Sequence, residues 1–158
     1  MVELMTVYDA FLAKVNEDDW AHCYNEDDLK WFIQDWRSFL NASIVYFKFP
    51  RCGLDIDEEK QCFKDESFSN EEVQILATYM KWEWLKRTID SWENIKTQYD
   101  ESDFSQAKLL STFIELRKQV QTEAEELQAI YYRSVAKRPF HYRNLAGKHN
   151  RWRRQYVS

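Results

Sequence analysis

Val7, Phe11, Leu12 and Val15 recur three or four residues apart, which predicts a short amphipathic helix over residues 6–16. The acidic connector NEDDWAHCYNEDD follows. Asn25 stands where it can cap a second helix whose first turn carries Glu26, Asp27 and Asp28. Carboxylates there face the positive end of the helix dipole. Leu29, Phe32, Ile33, Trp36 and Leu40 make the apolar face of that helix. The run NASIVYFKF reads two ways, as a short strand or as the helix end. Pro50 biases the residue before it away from helix, so the helix is expected to end ahead of it.

RCGLDIDEEKQCFKDESF is predicted as a long loop. The clearest start signal comes next. Ser69-Asn70-Glu71-Glu72 is a capping box, in which the Ser hydroxyl takes the N–H of the fourth residue and that Glu reaches back. The helix it opens is expected to run to about Thr97. Val73, Leu76, Ala77, Met80, Trp84, Trp92 and Ile95 lie on one face. Ile75, Tyr79, Trp82 and Ile89 form a second stripe on the other side. A surface helix needs one apolar stripe. Two imply burial on two sides, within the domain or against a neighbouring subunit, and the second stripe is read as the subunit interface. DESDFSQ breaks this helix and begins the last one. There Leu109, Phe113, Leu116, Val120, Ala124, Leu127 and Tyr131 recur at helical spacing as far as about Ala136, and Pro139 interrupts.

The fold expected is all-α: a small bundle of about four helices, with two long antiparallel helices paired, two shorter ones covering them, and an extended C-terminal tail. Residues 1–136 would be the helical domain and residues 137–158 the tail.

Charge sharpens that division. Residues 137–158 contain seven Lys or Arg and no Asp or Glu. With −5 on the whole chain, the +7 tail leaves −12 on residues 1–136. Aromatics at 16 %, seven of them Trp, are too many for a disordered chain. The two glycines, Gly53 and Gly147, cannot build a phosphate loop, a dinucleotide fingerprint or a nucleophile elbow. The first residues lack the basic leader and apolar run of a signal peptide. The longest uncharged stretch, SFLNASIVYF, is far short of a membrane span. Cys23, Cys52 and Cys62, odd in number and widely spaced, read as reduced thiols.

Candidate chemistry is sparse. Asp55, Asp57, Glu59 and Glu66 match positions one, three, five and twelve of a calcium loop. Lys60 holds the place that needs Gly, and Glu66 does not open a helix, so the stretch reads as a solvated acidic loop. His22, Cys23, Cys52 and Cys62 lack zinc-ligand spacing. His141 and His149 lie in the tail, away in sequence from an acid or thiol that would make them general bases. No metal, cofactor or catalytic residue is expected, and the chain is not read as an enzyme. The tail interleaves Arg138, Arg143, Arg151, Arg153 and Arg154 with Phe140, Tyr142, Trp152 and Tyr156. Arg and aromatics together suit phosphate contact and base stacking. They equally suit protein docking, since Arg, Trp and Tyr dominate interface hot spots. The −12 body weighs against a polyanion.

The segments FPRCGLDIDEEKQCFKDESFSNEEVQILATYMKWEWL, YDESDF and SQAKLLSTFIELRK resemble a family of tailed-phage neck proteins, the head–tail connector or adaptor proteins. The resemblance runs from about Tyr8 to Tyr132 and leaves out the basic tail. It implies a helical bundle assembled as a twelve-fold ring in the virion neck, reached from the host cytoplasm during assembly. The portal would lie on one side and the next neck or tail protein on the other, with DNA passing through the lumen. No catalytic residue is carried over. On this reading the tail docks on the portal through Arg138, Phe140, Arg143, Arg151, Trp152, Arg153, Arg154 and Tyr156. The acidic body keeps the DNA passage free of adhesion. The alternative is a nucleic-acid-binding helical protein that uses the same tail.

Overall fold

The computed structural model describes residues 2–15, 26–98 and 104–135. In chain order they form α1 (Leu4–Val15), α2 (Glu26–Tyr46), a hairpin of β1 (Ile56–Asp57) and β2 (Cys62–Phe63), α3 (Asn70–Gln98) and α4 (Phe104–Val135). The fold class is all-α, a small helical bundle. The chain divides into two units, Met1–Gln128 and Ala129–Ser158.

In the first unit, α1 buries Leu4, Val7, Tyr8 and Phe11. It begins two residues before the periodic pattern does. The Leu4 N–H donates to the Gln61 carbonyl at 2.9 Å, so an orphan donor of the first turn is satisfied from the hairpin. The Phe63 N–H donates to the Val2 carbonyl at 3.0 Å, and Glu3 bridges antiparallel to Cys62. The chain start is thereby a third edge on a two-strand hairpin whose register pairs Ile56 with Phe63 and Asp57 with Cys62. The stretch predicted as a plain loop thus contains this hairpin, closed over Phe63 and Phe68, which stack with centroids 4.1 Å apart.

α2 continues as helix through the ambiguous run to Tyr46. Trp36, Phe39, Leu40 and Ser43 are its buried residues. The Ser43 hydroxyl donates to the Phe39 carbonyl at 2.6 Å, which satisfies a buried hydroxyl locally. Packing therefore overrides the strand preference of Ile44 and Val45. Leu29, assigned to the apolar face, is 40 % exposed. Asn25, the expected cap, lies outside the described residues.

α3 is the hub. α1 and α2 both pack closely along it. Phe11 meets Phe39 at 5.9 Å and Tyr8 meets Trp36 at 5.8 Å, joining α1 to α2 above it. Val73, Leu76, Ala77 and Met80 of the first stripe are buried, and so are Ile75, Tyr79 and Ile89 of the second. Each fully buried aliphatic or aromatic side chain contributes roughly 1.5–3 kcal/mol. The sequence pattern pairs the two long helices. Among the described residues α4 meets α3 through side chains, Gln128 on Tyr79 and Arg117 on Trp82, while α1 and α2 are its close backbone neighbours. On α4, Val120 and Ala124 are buried and Leu109 is 45 % exposed. In the second unit, Tyr131 is buried while Ile130 and Tyr132 are exposed.

Candidate interaction surfaces

The start of α3 carries the capping box that the sequence pattern predicts. The Glu72 carboxylate accepts the Ser69 backbone N–H at 2.9 Å and also the Ser69 hydroxyl. The Ser69 Oγ accepts the N–H of Glu71 at 3.3 Å. Glu72 is almost fully buried by this arrangement.

The acidic loop spends its carboxylates on its own backbone. Asp57 Oδ1 accepts the N–H groups of Glu59 at 3.1 Å and Lys60 at 3.2 Å, closing the hairpin turn. Asp65 accepts the Ser67 hydroxyl at 2.6 Å, the Gly53 N–H at 2.7 Å and the Ser67 N–H at 2.8 Å. These donors, the Ser67 hydroxyl foremost, hold its carboxyl below the usual range. Asp55, Asp57, Glu59 and Glu66 are not brought together. Among the described residues no group of three or more His, Cys, Asp or Glu converges. Cys52 and Cys62 are buried free thiols. Burial, then the charges of Glu72 and Asp65, push the Cys52 thiol up to about 11. His22 and Cys23 lie outside the described residues.

The second stripe of α3 ends in an aromatic and cationic cluster. The Arg117 guanidinium of α4 lies 4.8 Å from the centre of the Trp82 ring, and Lys86 lies 5.9 Å from it. Tyr46 meets Trp82 edge-on at 4.9 Å and stacks on Tyr79 at 5.7 Å. Gln128 ties the group together. Its Nε2 donates to the Tyr46 carbonyl at 3.0 Å and to the Tyr79 hydroxyl, and its Oε1 accepts the Lys48 N–H at 3.1 Å. Burial raises the Tyr79 and Tyr46 hydroxyls above their ordinary pKa. These contacts take up part of the stripe expected at the subunit interface. Ile75, Tyr79 and Ile89 are buried inside the chain, and Trp82 is half-covered by Tyr46, Arg117 and Lys86. At Tyr79 and Trp82 the cover is Tyr46 of α2 with Gln128 and Arg117 of α4.

Clefts also open among the described residues. One, of about 290 Å³ between α2 and α3, is lined by Asp35, Phe39, Trp84, Arg87, Thr88, Ser91 and Trp92. Arg87 fills part of it, paired with Asp35 at 3.1 Å and lying 5.5 Å from the Phe39 ring centre. Another, of about 340 Å³, has Leu4, Met5, Tyr8 and Ile33 as walls and Glu3, Lys60 and Gln61 at its rim. The sequence reading missed a further surface. Trp31 is 73 % and Val45 78 % exposed on the outward face of α2. Their spacing was available as a signal, but the apolar face beside it is stronger.

The predicted docking residues Arg138, Phe140, Arg143, Arg151, Trp152, Arg153, Arg154 and Tyr156 lie outside the described residues. Among the described residues no helix is long and apolar enough to cross a membrane. Comparison with protein-family models, curated proteins and solved structures found no match to the chain.

Proposed function

We propose that the chain is a structural adaptor of a tailed-phage neck. It assembles with copies of itself between the portal and the next neck or tail protein, and its basic tail docks on the portal. The observation that carries the reading is the charge division. An acid-free segment of +7 follows a body of −12. Such a segment has no carboxylate of its own to satisfy its guanidinium groups, so it suits an acidic or carbonyl-lined partner surface. A ring repeats a modest contact and multiplies its avidity. The all-α bundle and the resemblance of residues 8–132 to neck adaptors agree with this reading. The same Arg, Trp and Tyr pattern favours nucleic acid as a second reading.

One experiment separates the two. The chain truncated after Arg138 and the full chain are each mixed with portal-bearing capsids and, separately, with duplex and single-stranded DNA. The adaptor reading expects capsid binding by the full chain alone and no DNA binding at physiological salt. Steeply salt-dependent DNA binding that vanishes on truncation would establish the second reading instead.

A further inference from the structure

Trp31, Gln34, Ser38, Asn41 and Val45 fall on one stripe of α2, spaced three, four, three and four residues apart. That repeat is the one a helix presents to another helix. All five are exposed. None is charged, in a chain where 31 % of residues are. Of the charged side chains beside the stripe, Asp35 pairs with Arg87 of α3 and Arg37 with Glu58 of the hairpin turn, while Lys30 is exposed at its edge.

We propose that this face of α2 is where two copies of the chain meet, as an antiparallel helix pair with its twofold axis at Ser38. The stripe is its own complement. Trp31 lies seven residues before Ser38 and Val45 seven after it. A twofold axis at Ser38 therefore sets the indole of each copy against the valine of the other, with about 21 Å of helix between the two contacts. Between them Gln34 comes opposite Ala42 and Asn41 opposite Asp35, so the two amides lie one residue out of register, about 1.5 Å along the helix. At the crossing point the residue is a serine, small enough for the helices to approach closely.

Charge selects a second copy as the occupant. With −12 on residues 1–136, most faces of this chain would repel themselves. The α2 stripe sets no charge against a like charge. It also brings a tryptophan, the residue most enriched at interface hot spots, to each end of the contact. A single helix pair buries less than the roughly 1,200 Å² of a standard interface, so the dimer belongs to the weak, concentration-dependent class. This inference does not rest on the neck reading: the contact belongs to the free protein, and a ring with the portal on one side would have to replace it, because a twofold pair has no distinct sides.

The test uses the full chain with Cys23→Ser, which leaves the buried Cys52 and Cys62 as its thiols. Sedimentation between about 1 and about 200 μM should show a monomer–dimer equilibrium with a micromolar midpoint. Trp31→Glu and Val45→Glu, both at exposed sites, should keep the helical content and weaken dimerisation at least tenfold. The equilibrium should move little between low and high salt, whereas a contact of the basic tail with an acidic body would weaken. Ser38→Cys should form a disulfide-linked dimer under mild oxidation, and Lys118→Cys on α4 should not. A chain that stays monomeric throughout the range overturns the proposal. So does a dimer that tolerates both glutamate variants, dissolves in salt, or fails to link through residue 38.

Discussion

The Glu72 carboxylate turns back along its own helix and accepts the Ser69 backbone N–H at 2.9 Å. A buried acid thus closes the N-terminus of the helix on which α1 and α2 pack. Glu72→Ala should cost about 1.5–3 kcal/mol, because it removes charge-assisted bonds to the Ser69 N–H and hydroxyl. Ser69→Ala should cost about 1 kcal/mol, the ordinary worth of a cap. Urea unfolding followed by circular dichroism checks both values. A loss at Glu72 no larger than that at Ser69 would show that the cap acts through the hydroxyl alone.

The hairpin turn carries a backbone cost at Gln61, whose φ of 51° is left-handed. A side chain there costs roughly 1–2 kcal/mol, against about 0.5–1 kcal/mol for the extra freedom glycine brings to the unfolded chain. Gln61→Gly should therefore stabilise by about 0.5 kcal/mol, while Gln61→Val should destabilise by more than about 1 kcal/mol. The Leu4 N–H bond to the residue 61 carbonyl survives both changes, since it is made by the backbone. Opposite signs in thermal melts are the expected result.

Asp65 gives the loop a pH dependence of definite sign. The Ser67 hydroxyl and the Gly53 and Ser67 N–H groups depress its pKa in the folded state. Its contribution is thus present above the unfolded carboxylate value, about 3.9, and is lost as pH falls through the lower folded value. Asp65→Asn should be less stable than the parent at pH 7, with the gap closing below about pH 4. A gap that stays constant across that window would assign the effect to geometry rather than charge.

Ile89 separates core from interface. It is 4 % exposed within the single chain. Ile89→Ala should cost about 2–4 kcal/mol by leaving a cavity. The loss should be the same at every protein concentration, because the contacts are within the chain. A cost that grows with concentration would return the stripe to the subunit interface.

Arg117 and Trp82 should behave as a coupled pair. The guanidinium lies 4.8 Å from the indole centre, and Trp82 is half-buried. A double-mutant cycle of Arg117→Ala and Trp82→Leu should give a coupling of about 0.5–2 kcal/mol. Arg117→Lys should recover only part of it, since an ammonium lacks the plane that stacks. Additive losses would show that the contact carries no energy of its own.

The helices were legible because their signals are local. Ser69 and Glu72 lie three residues apart and mark the start of α3 without reference to any other element. The spacings from Val7 to Phe11 and from Val120 to Ala124 report one buried face each, whatever covers it. The tertiary structure decided what local signals leave open. Ile75, Tyr79 and Ile89 look the same in sequence whether a neighbouring subunit covers them or the same chain does. Ile44 and Val45 prefer strand, yet packing at Trp36, Phe39 and Leu40 holds α2 in helix through Tyr46. The β1–β2 hairpin and the start of α1 depend on the Leu4 N–H reaching the Gln61 carbonyl, 57 positions along the chain. Periodicity records which side of a helix avoids water. It does not record which element does the covering, and on α2 it hid the second, uncharged stripe behind the stronger apolar one.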